Sequence, residues 1–367
     1  MTLQETQRRV AALRRRLQEA GLDGLVVVDG ANRRYLSGLA SSAGVALIPR
    51  DEAHPPTLLV DARYTEQARV QAPGYRVIQH GDHVWDDLRG VLEAYGIRRL
   101  GFEAEHLSYR QAVRWQEAIP GVTWVPVDHQ VEALRAVKSA AELERLRRAV
   151  RIADEAFAAV VPALRAGMSE REVAWRLEAF MRERGAERMA FDLIVGSGPN
   201  AALPHAAPGP RRLQPGDTVV LDFGCVYEGY HSDMTRTVVV GPTVEPRAQE
   251  VYRLVLEAQQ AGIRAIRPGV TGREVDAAAR QVIEAAGFGE YFGHGLGHGV
   301  GLEVHEPIPR LSRTSDTVLE PGMVTSVEPG VYIPGWGGVR IEDLVLVTET
   351  GCEILTSSPK DLIVVPS

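Results

Sequence analysis

Apolar and polar positions alternate with two different periods along this chain. An amphipathic stretch over residues 3–20 has its apolar positions at helical spacing and precedes the run GLVVV at 24–28. Four further short apolar runs follow: GVALI (44–48), TLLV (57–60), YRVI (75–78) and RLGFE (99–103). Runs of this length bounded by turn residues predict strands, and the polar-faced segments between several of them predict helices. The alternation predicts an α/β domain on a mostly parallel or mixed sheet. No Gly-rich phosphate loop follows any of these strands, which argues against nucleotide binding. Another strand ends within GVTWVPVDHQVEALRAVKS (121–139), and Ser139 with Glu142 three residues later opens a long helix as a capping box. A domain boundary is placed there, dividing residues 1–128 from 129–367.

Beyond that boundary the pattern repeats. RAGMSEREVAWRLEAFMRERG (165–185) matches RPGVTGREVDAAARQVIEAAG (267–287), and Ser169 with Glu172 and Thr271 with Glu274 predict two equivalently capped helices. LQPGDTVVLDFG (213–224) then aligns with LEPGMVTSVEPG (319–330), setting Asp222 opposite Glu328. Further on, DMTRTVVV resembles EDLVLVTE, which brings Asp233 opposite Glu342 after a short insertion. Repeats this long are not solenoid units. They predict two halves of one domain related by a pseudo-two-fold axis, with four strand-borne carboxylates converging at its centre.

At 367 residues the chain is long for one hydrophobic core, in keeping with two domains. A net charge of −7 gives no reason to expect nucleic acid or an anionic membrane as partner. No apolar run is long enough to span a bilayer, and the charged N-terminal helix lacks the apolar core of an export signal. Cys225 and Cys352 are too few for a disulfide framework, so a reducing cytoplasm is expected.

Taken singly, a strand carboxylate is most simply paired with an arginine, and Arg236 and Arg340 stand nearby in sequence. Four together would repel and hold protons unless cations neutralised them. The segment FGHGLGHGVGLEVHEP (292–307) adds His294, His298 and His305 among glycines, and His205 precedes Asp222 much as His305 precedes Glu328. An oxygen-rich set with one imidazole suits Mn²⁺ or Co²⁺, with Zn²⁺ as the further candidate. Four carboxylates exceed the needs of one ion, and a bridged pair of ions supplies a nucleophile from water at neutral pH.

Together LDFGCVYEGYHSDMTRT, GHGLGHGVGLEVHE, SVEPG and GVRIED resemble the dinuclear metallopeptidases of the pita-bread fold, over roughly residues 138–360. AVKSAAELERLRRA is similar to the segment that opens the catalytic domain in their proline-specific members, and the first 125 or so residues resemble the accompanying creatinase-like N-terminal domain. The resemblance implies an α/β N-terminal domain followed by an α+β pita-bread catalytic domain. It implies two divalent metal ions per chain, with Asp222 on one, His298 and Glu328 on the other, and Asp233 and Glu342 bridging. It implies a cytoplasmic homodimer that hydrolyses Xaa-Pro bonds, most simply in dipeptides, with the aminopeptidase P activity on longer peptides as the alternative and a metal-free binding module as the remote one. Glu328 would carry the proton, His305 would face the developing oxyanion, and His205 would contact the substrate. His294 would line the proline pocket, and Arg340, two residues before Glu342, would orient a carboxylate around the ligands; both are counted with the substrate-binding residues. A dipeptidase should also neutralise the free carboxylate of proline, and Arg310 in HEPIPRLS is the local candidate. Related sequences more often read HEEPRLS, so this loop is one residue longer. The alternative source of a selecting group is NRRYLSGLASS (32–42), which resembles a segment that reaches a neighbouring active site in such dimers. Tyr230, His231 and Cys225, between the two Asp ligands, are assigned no role.

Overall fold

The computed structural model describes residues 2–367, which form two compact units divided after Arg135. The division falls later than residue 128 because the short helix Glu132–Ala136 groups with the first unit. That helix is tied there by the Asn32 side-chain amide, which donates to Glu132 Oε1 at 2.6 Å and accepts from Arg135 Nη1 at 2.7 Å. Sequence pattern marked the strand end before this helix but held no sign of the buried polar network behind it.

The first unit comprises α1 (Leu3–Glu19), β1 (Gly24–Val27), α2 (Gly30–Ser37), β2 (Val45–Pro49), β3 (Thr57–Val60), α3 (Thr65–Gln71), β4 (Arg76–Gln79), α4 (Val84–Ala94), β5 (Arg99–Glu103), α5 (Tyr109–Ala118), β6 (Thr123–Val127) and α6 (Glu132–Ala136). All the strands expected from the apolar runs form, in one six-stranded sheet of order β4-β3-β2-β1-β5-β6. β2 runs antiparallel to both its neighbours and the other pairings are parallel, so the sheet is mixed. Val26, Leu47, Leu59, Leu88, Leu92 and Leu100 fill its core, each fully buried aliphatic side chain contributing about 1.5–3 kcal/mol.

The second unit shows the duplication. Its first half contains α7 (Ala140–Val160), α8 (Glu170–Glu183), β7 (Arg188–Met189), β8 (Ile194–Ser197), β9 (Thr218–Phe223), β10 (Cys225–Tyr227), β11 (Tyr230–His231) and β12 (Met234–Val240). The second half contains α9 (Pro246–Ala265), α10 (Gly272–Ala285), β13 (Gly297–Gly299), β14 (Glu306–Leu311), β15 (Val324–Val327), β16 (Gly330–Ile333), β17 (Gly337–Arg340), β18 (Asp343–Val347) and β19 (Cys352–Ile354), and β20 (Ile363–Val365) returns to the first half beside β12. The two larger sheets are β20-β12-β9-β8 and β14-β13-β15-β18-β19, beside a three-stranded sheet β11-β10-β7 and a two-stranded one, β16-β17. Each half encloses its own apolar cluster, one around Phe157, Leu177, Leu221 and Val238, the other around Val255, Ile283, Val327 and Val345.

Hydrogen bonds repeat as well as elements. Both predicted capping boxes form, at Ser169 with Glu172 and at Thr271 with Glu274. Leu213 N–H donates to Met168 O at 2.9 Å, and Leu319 N–H donates to Val270 O at 2.8 Å. Gly167 N–H returns to Leu213 O, and Gly269 N–H to Leu319 O, both at 2.9 Å. One helix-to-strand connection is thus built twice. Ser169→Ala and Thr271→Ala should each cost about 1 kcal/mol of unfolding free energy, the usual value of a lost N-cap, measured by urea denaturation at constant m-value. A loss at one cap and none at the other would contradict the equivalence.

Candidate metal centre

One antiparallel pair from each half brings the acids in. In the first, β9 carries Asp222 and Asp233 immediately precedes β12, with Thr235 opposite Asp222. In the second, Glu328 immediately follows β15 and Glu342 immediately precedes β18, with Val327 opposite Asp343. The pairs are joined at Thr235: Glu342 N–H donates to its carbonyl at 3.0 Å, and its hydroxyl donates to Glu342 Oε2 at 2.7 Å. Asp222, Asp233 and Glu342 are all buried.

The imidazole enters from β13. A Cβ at Gly297 would lie 2.0 Å from Ser326 O, so only glycine lets β13 approach β15 this closely. His298 N–H donates to Ser326 Oγ at 3.0 Å, and its Nδ1 lies 3.0 Å from Gly299 O. A carbonyl only accepts, so Nδ1 carries a proton and Nε2 is turned to the acids. It lies 3.3 Å from Glu328 Oε1 and 3.7 Å from Asp233 Oδ2. Ligand-capable atoms of Asp233, His298 and Glu342 lie within 4.8 Å of one another.

Electrostatics follow from this crowding. Burial, then the charges of Glu342, Asp222 and Glu328, push the Asp233 carboxyl well above its ordinary range. Burial, then Glu328 and Asp222, does the same to Glu342. Asp222 is raised by burial, with Arg340 pulling against it. Burial alone would raise Glu328 too, but its hydrogen bond with His298 and that ring's charge bring it down to about 2. Burial opposes charge on His298, yet Glu328 more than compensates and raises it. Glu328 and His298 form an ion pair beside two carboxyls whose ionisation is opposed by burial and by neighbouring charge.

Several residues have settled roles around this core. Arg340 is buried and committed: it donates to Asp222 Oδ2, to Thr235 Oγ1 at 3.1 Å, to the Tyr332 hydroxyl at 2.8 Å and to Pro204 O at 3.3 Å. Its guanidinium is engaged in holding Asp222, Thr235 and Tyr332. Arg236 instead pairs with Asp343 at 2.7 Å and with backbone carbonyls, that of Glu342 among them, and with none of the four carboxyl groups. Tyr332 escaped the sequence reading. Its hydroxyl joins Arg340 to His294 Nε2 at 3.0 Å, and burial pushes it up to about 12. A lone tyrosine in GVYI gives no periodic signal, although Gly330 two residues earlier is diagnostic, since a Cβ there would lie 2.3 Å from that hydroxyl.

The remaining histidines lie around the acids. The His305 ring meets that of His298 edge-on, with centroids 4.2 Å apart. Burial lowers His305, as do the charges of His298 and then His205, while Glu328 pulls the other way. Both His305 and His205 are exposed on their loops. His294 is lowered by burial against the pull of Glu328. Its loop is held by Arg280, which is clamped on Asp276 at 2.7 and 2.9 Å and donates to Phe292 O and His294 O. Arg310 sits on β14 directly opposite His298, on the same face of the sheet. Between His298 and Gly299 the register slips from Arg310 to Glu306, so β14 bulges just before Arg310. Arg310 lines a groove of about 620 Å³ shared with His294, and among the described residues it has no hydrogen bond or ion pair.

Residues 144–349 match the model of metallopeptidase family M24. The chain belongs to that family. Residues 9–137 match the creatinase/prolidase N-terminal domain. The chain is 44% identical over 352 residues to the uncharacterized peptidase YqhT of Bacillus subtilis (strain 168), spanning 96% of this chain and 98% of that one. It is similar to the solved structure of an Xaa-Pro dipeptidase from Bacillus anthracis, with 45% identity, a TM-score of 0.94, and 98% and 99% of the two chains covered. It is also similar to an X-Pro aminopeptidase from Thermotoga maritima, with 37% identity, a TM-score of 0.89, and coverage of 98% and 99%. Among the described residues no helix is long and apolar enough to cross a membrane.

An M24 metallopeptidase uses divalent metal, and the cluster fits it on its own terms. Asp222 Oδ1 and Glu342 Oε1 are buried oxygens without a hydrogen-bond partner, in a set where carboxylates outnumber fixed cations. Buried acceptors left bare are costly, and cations at those oxygens would remove the cost. Metal must displace the protons held by Asp233, Glu342 and His298. All three have pKa values raised by folding, so the empty site binds extra protons in the folded state and loses its contribution to stability as pH rises. The stabilisation from added Mn²⁺, read as the shift in Tm, should therefore be larger at about pH 8 than at about pH 5.5. Equal shifts would show that these groups do not compete with the metal. Asp233→Asn and Glu342→Gln should each lower the metal bound per chain, measured by elemental analysis after desalting, with loss of near-all turnover.

Proposed function

We propose that this protein is an Xaa-Pro dipeptidase, with two divalent ions held by Asp222, Asp233, His298, Glu328 and Glu342. The observation that carries the dipeptidase reading is Arg310: an unpaired guanidinium opposite His298, in a groove it shares with His294. A dipeptide ends at its proline, so its free carboxylate has to be met close to the scissile bond. Arg310 has the chemistry and the position to meet it.

When bound, the ion pair supplies an activated water and polarises the carbonyl. The chain's own residues do the rest. Arg340 and Thr235 fix Asp222 and Glu342, so the ligand oxygens are oriented before metal or substrate arrives. Ser326 holds Glu328 Oε1 at 3.1 Å, which leaves Oε2 to take a proton from the nucleophile and pass it to the proline nitrogen. That nitrogen carries no hydrogen in the Xaa-Pro bond, so protonation is what lets it leave. His305, an exposed ring next to His298, donates to the carbonyl oxygen as negative charge develops there. His205 contacts the residue on the other side of the bond, and His294 presents one wall to the proline ring.

The second reading, an aminopeptidase acting on longer Xaa-Pro peptides, is favoured by the similarity to the Thermotoga maritima enzyme. A cytoplasmic homodimer using Mn²⁺ or Co²⁺ is part of the same proposal. Comparing an Xaa-Pro dipeptide with an Xaa-Pro-Yaa tripeptide separates the two activities. The dipeptide should be cut with the higher kcat/KM, and cleavage of the tripeptide alone would reject the dipeptidase. Arg310→Ala should raise KM for the dipeptide about 10- to 100-fold, the value of one charged hydrogen bond, with kcat little changed. Tripeptide hydrolysis should respond far less, because its carboxylate lies one residue further away.

A further inference from the structure

The first unit holds a crevice of about 410 Å³ built entirely from its own residues. It lies beyond the carboxyl ends of β1 and β5, with Val28 following one strand and His106 following the other. The chain leaves β1 toward β2 on one side and crosses from β4 to β5 on the other, so this is where the strand order reverses. Open α/β sheets leave their ligand crevices at such points.

One wall is Arg33, only 3% exposed. Its Nη1 donates to Val28 O and its Nη2 to Ser41 O at 2.9 Å, but its Nε is buried with no acceptor. Among the described residues it forms no ion pair. Burial lowers its pKa, with Asp29 and Glu103 pulling the other way from further off. Gly44 also lines the crevice beside it, and a Cβ there would lie 3.8 Å from that Nε. A second source of donors is the start of α4. Its N-cap, His83, supplies no side-chain acceptor; Asp86 N–H returns to His83 O at 3.2 Å, which leaves the N–H groups of Val84 and Trp85 without a cap beside the crevice, in a first turn that also carries Asp86 and Asp87. The remaining walls are aromatic. Trp85 stacks on His83 with ring centroids 4.4 Å apart, and Trp115 stands across α5. Asp82 is the sole carboxylate lining the space, against Arg33 and three histidines.

We propose that this crevice is a binding site for a small carboxylic acid with a flat apolar body, the carboxylate on Arg33 and the α4 N-terminus, the body against Trp85 and Trp115. Neither the acid cluster of the second unit nor its metal enters the argument. A site for bare phosphate would need no aromatic walls.

Benzoate titrated by calorimetry into the intact, metal-loaded chain provides the test, repeated after chelation and with inorganic phosphate. The expected result is a binding event that survives chelation and is weakened at least tenfold by Trp85→Ala and by Arg33→Gln. Where circular dichroism shows Arg33→Gln unfolded, Trp85→Ala decides alone. Loss of binding on chelation would place benzoate at the metal centre and overturn the proposal, as would unchanged affinity in Trp85→Ala. Phosphate binding with the same sensitivity to the variants would overturn the assignment to a carboxylate with an apolar body.

Discussion

The structure of the second unit depends on one electrostatic fact: four carboxylates share a buried space with a single fixed guanidinium. Two like charges about 4 Å apart repel by about 4 kcal/mol even at an effective dielectric constant near 20. Such a set cannot be fully ionised without cations, and burial raises the carboxyls of Asp222, Asp233 and Glu342. Arg340 offsets part of this at Asp222, and His298 offsets part at Glu328. Asp233 and Glu342, which lie between those two compensated ends, have no fixed cation of their own. They are the positions where a shared metal relieves the most repulsion.

Holding such a cluster requires a frame that does not yield to it. Each acid sits within or at the end of a strand whose partner strand is also anchored, and the two strand pairs are joined at Thr235 by a backbone and a side-chain hydrogen bond. Separate cores behind the two sheets resist their moving apart. Arg236, fully buried on Asp343 and four carbonyls, ties the base of the cluster to the segment 358–359. Breaking a buried pair of that kind strands a charge, so it locks one arrangement rather than adding general stability.

The repeat made much of this legible before any coordinates. Aligning LQPGDTVVLDFG with LEPGMVTSVEPG identified Asp222 and Glu328 because their strands are long, apolar and in register, and the capping boxes at Ser169 and Thr271 carry a local signature. What stayed hidden depends on long-range contact. The hydroxyl of Tyr332 meets His294 and Arg340 only through folding, and Arg340 has the same local sequence context whether it faces substrate or Asp222. The placement of α6 has the same character, since that helix is held by an amide from Asn32, far back in the chain. Arg33 belongs with these cases: an orphaned Nε has no sequence signature.

Duplication explains the four acids, and its failure explains the chemistry. The alignment that sets Asp222 opposite Glu328 also sets Val219 opposite Thr325. Val219 pairs with Ser197 and Thr325 with Gly299, so Gly196 is the counterpart of His298. A Cβ at Gly196 would lie 2.8 Å from Asn200 O and 3.1 Å from the Ala206 Cβ, which leaves no room for a ring. The first half therefore cannot supply a second imidazole without rebuilding its loop. An exact repeat would give two equivalent metal sites with no reason for substrate to enter one way round. The single ring of His298 and the Arg310 guanidinium, placed opposite it by the same strand pair, both belong to the second half. A peptide has two different ends, and this asymmetry lets a nearly symmetric cluster distinguish them.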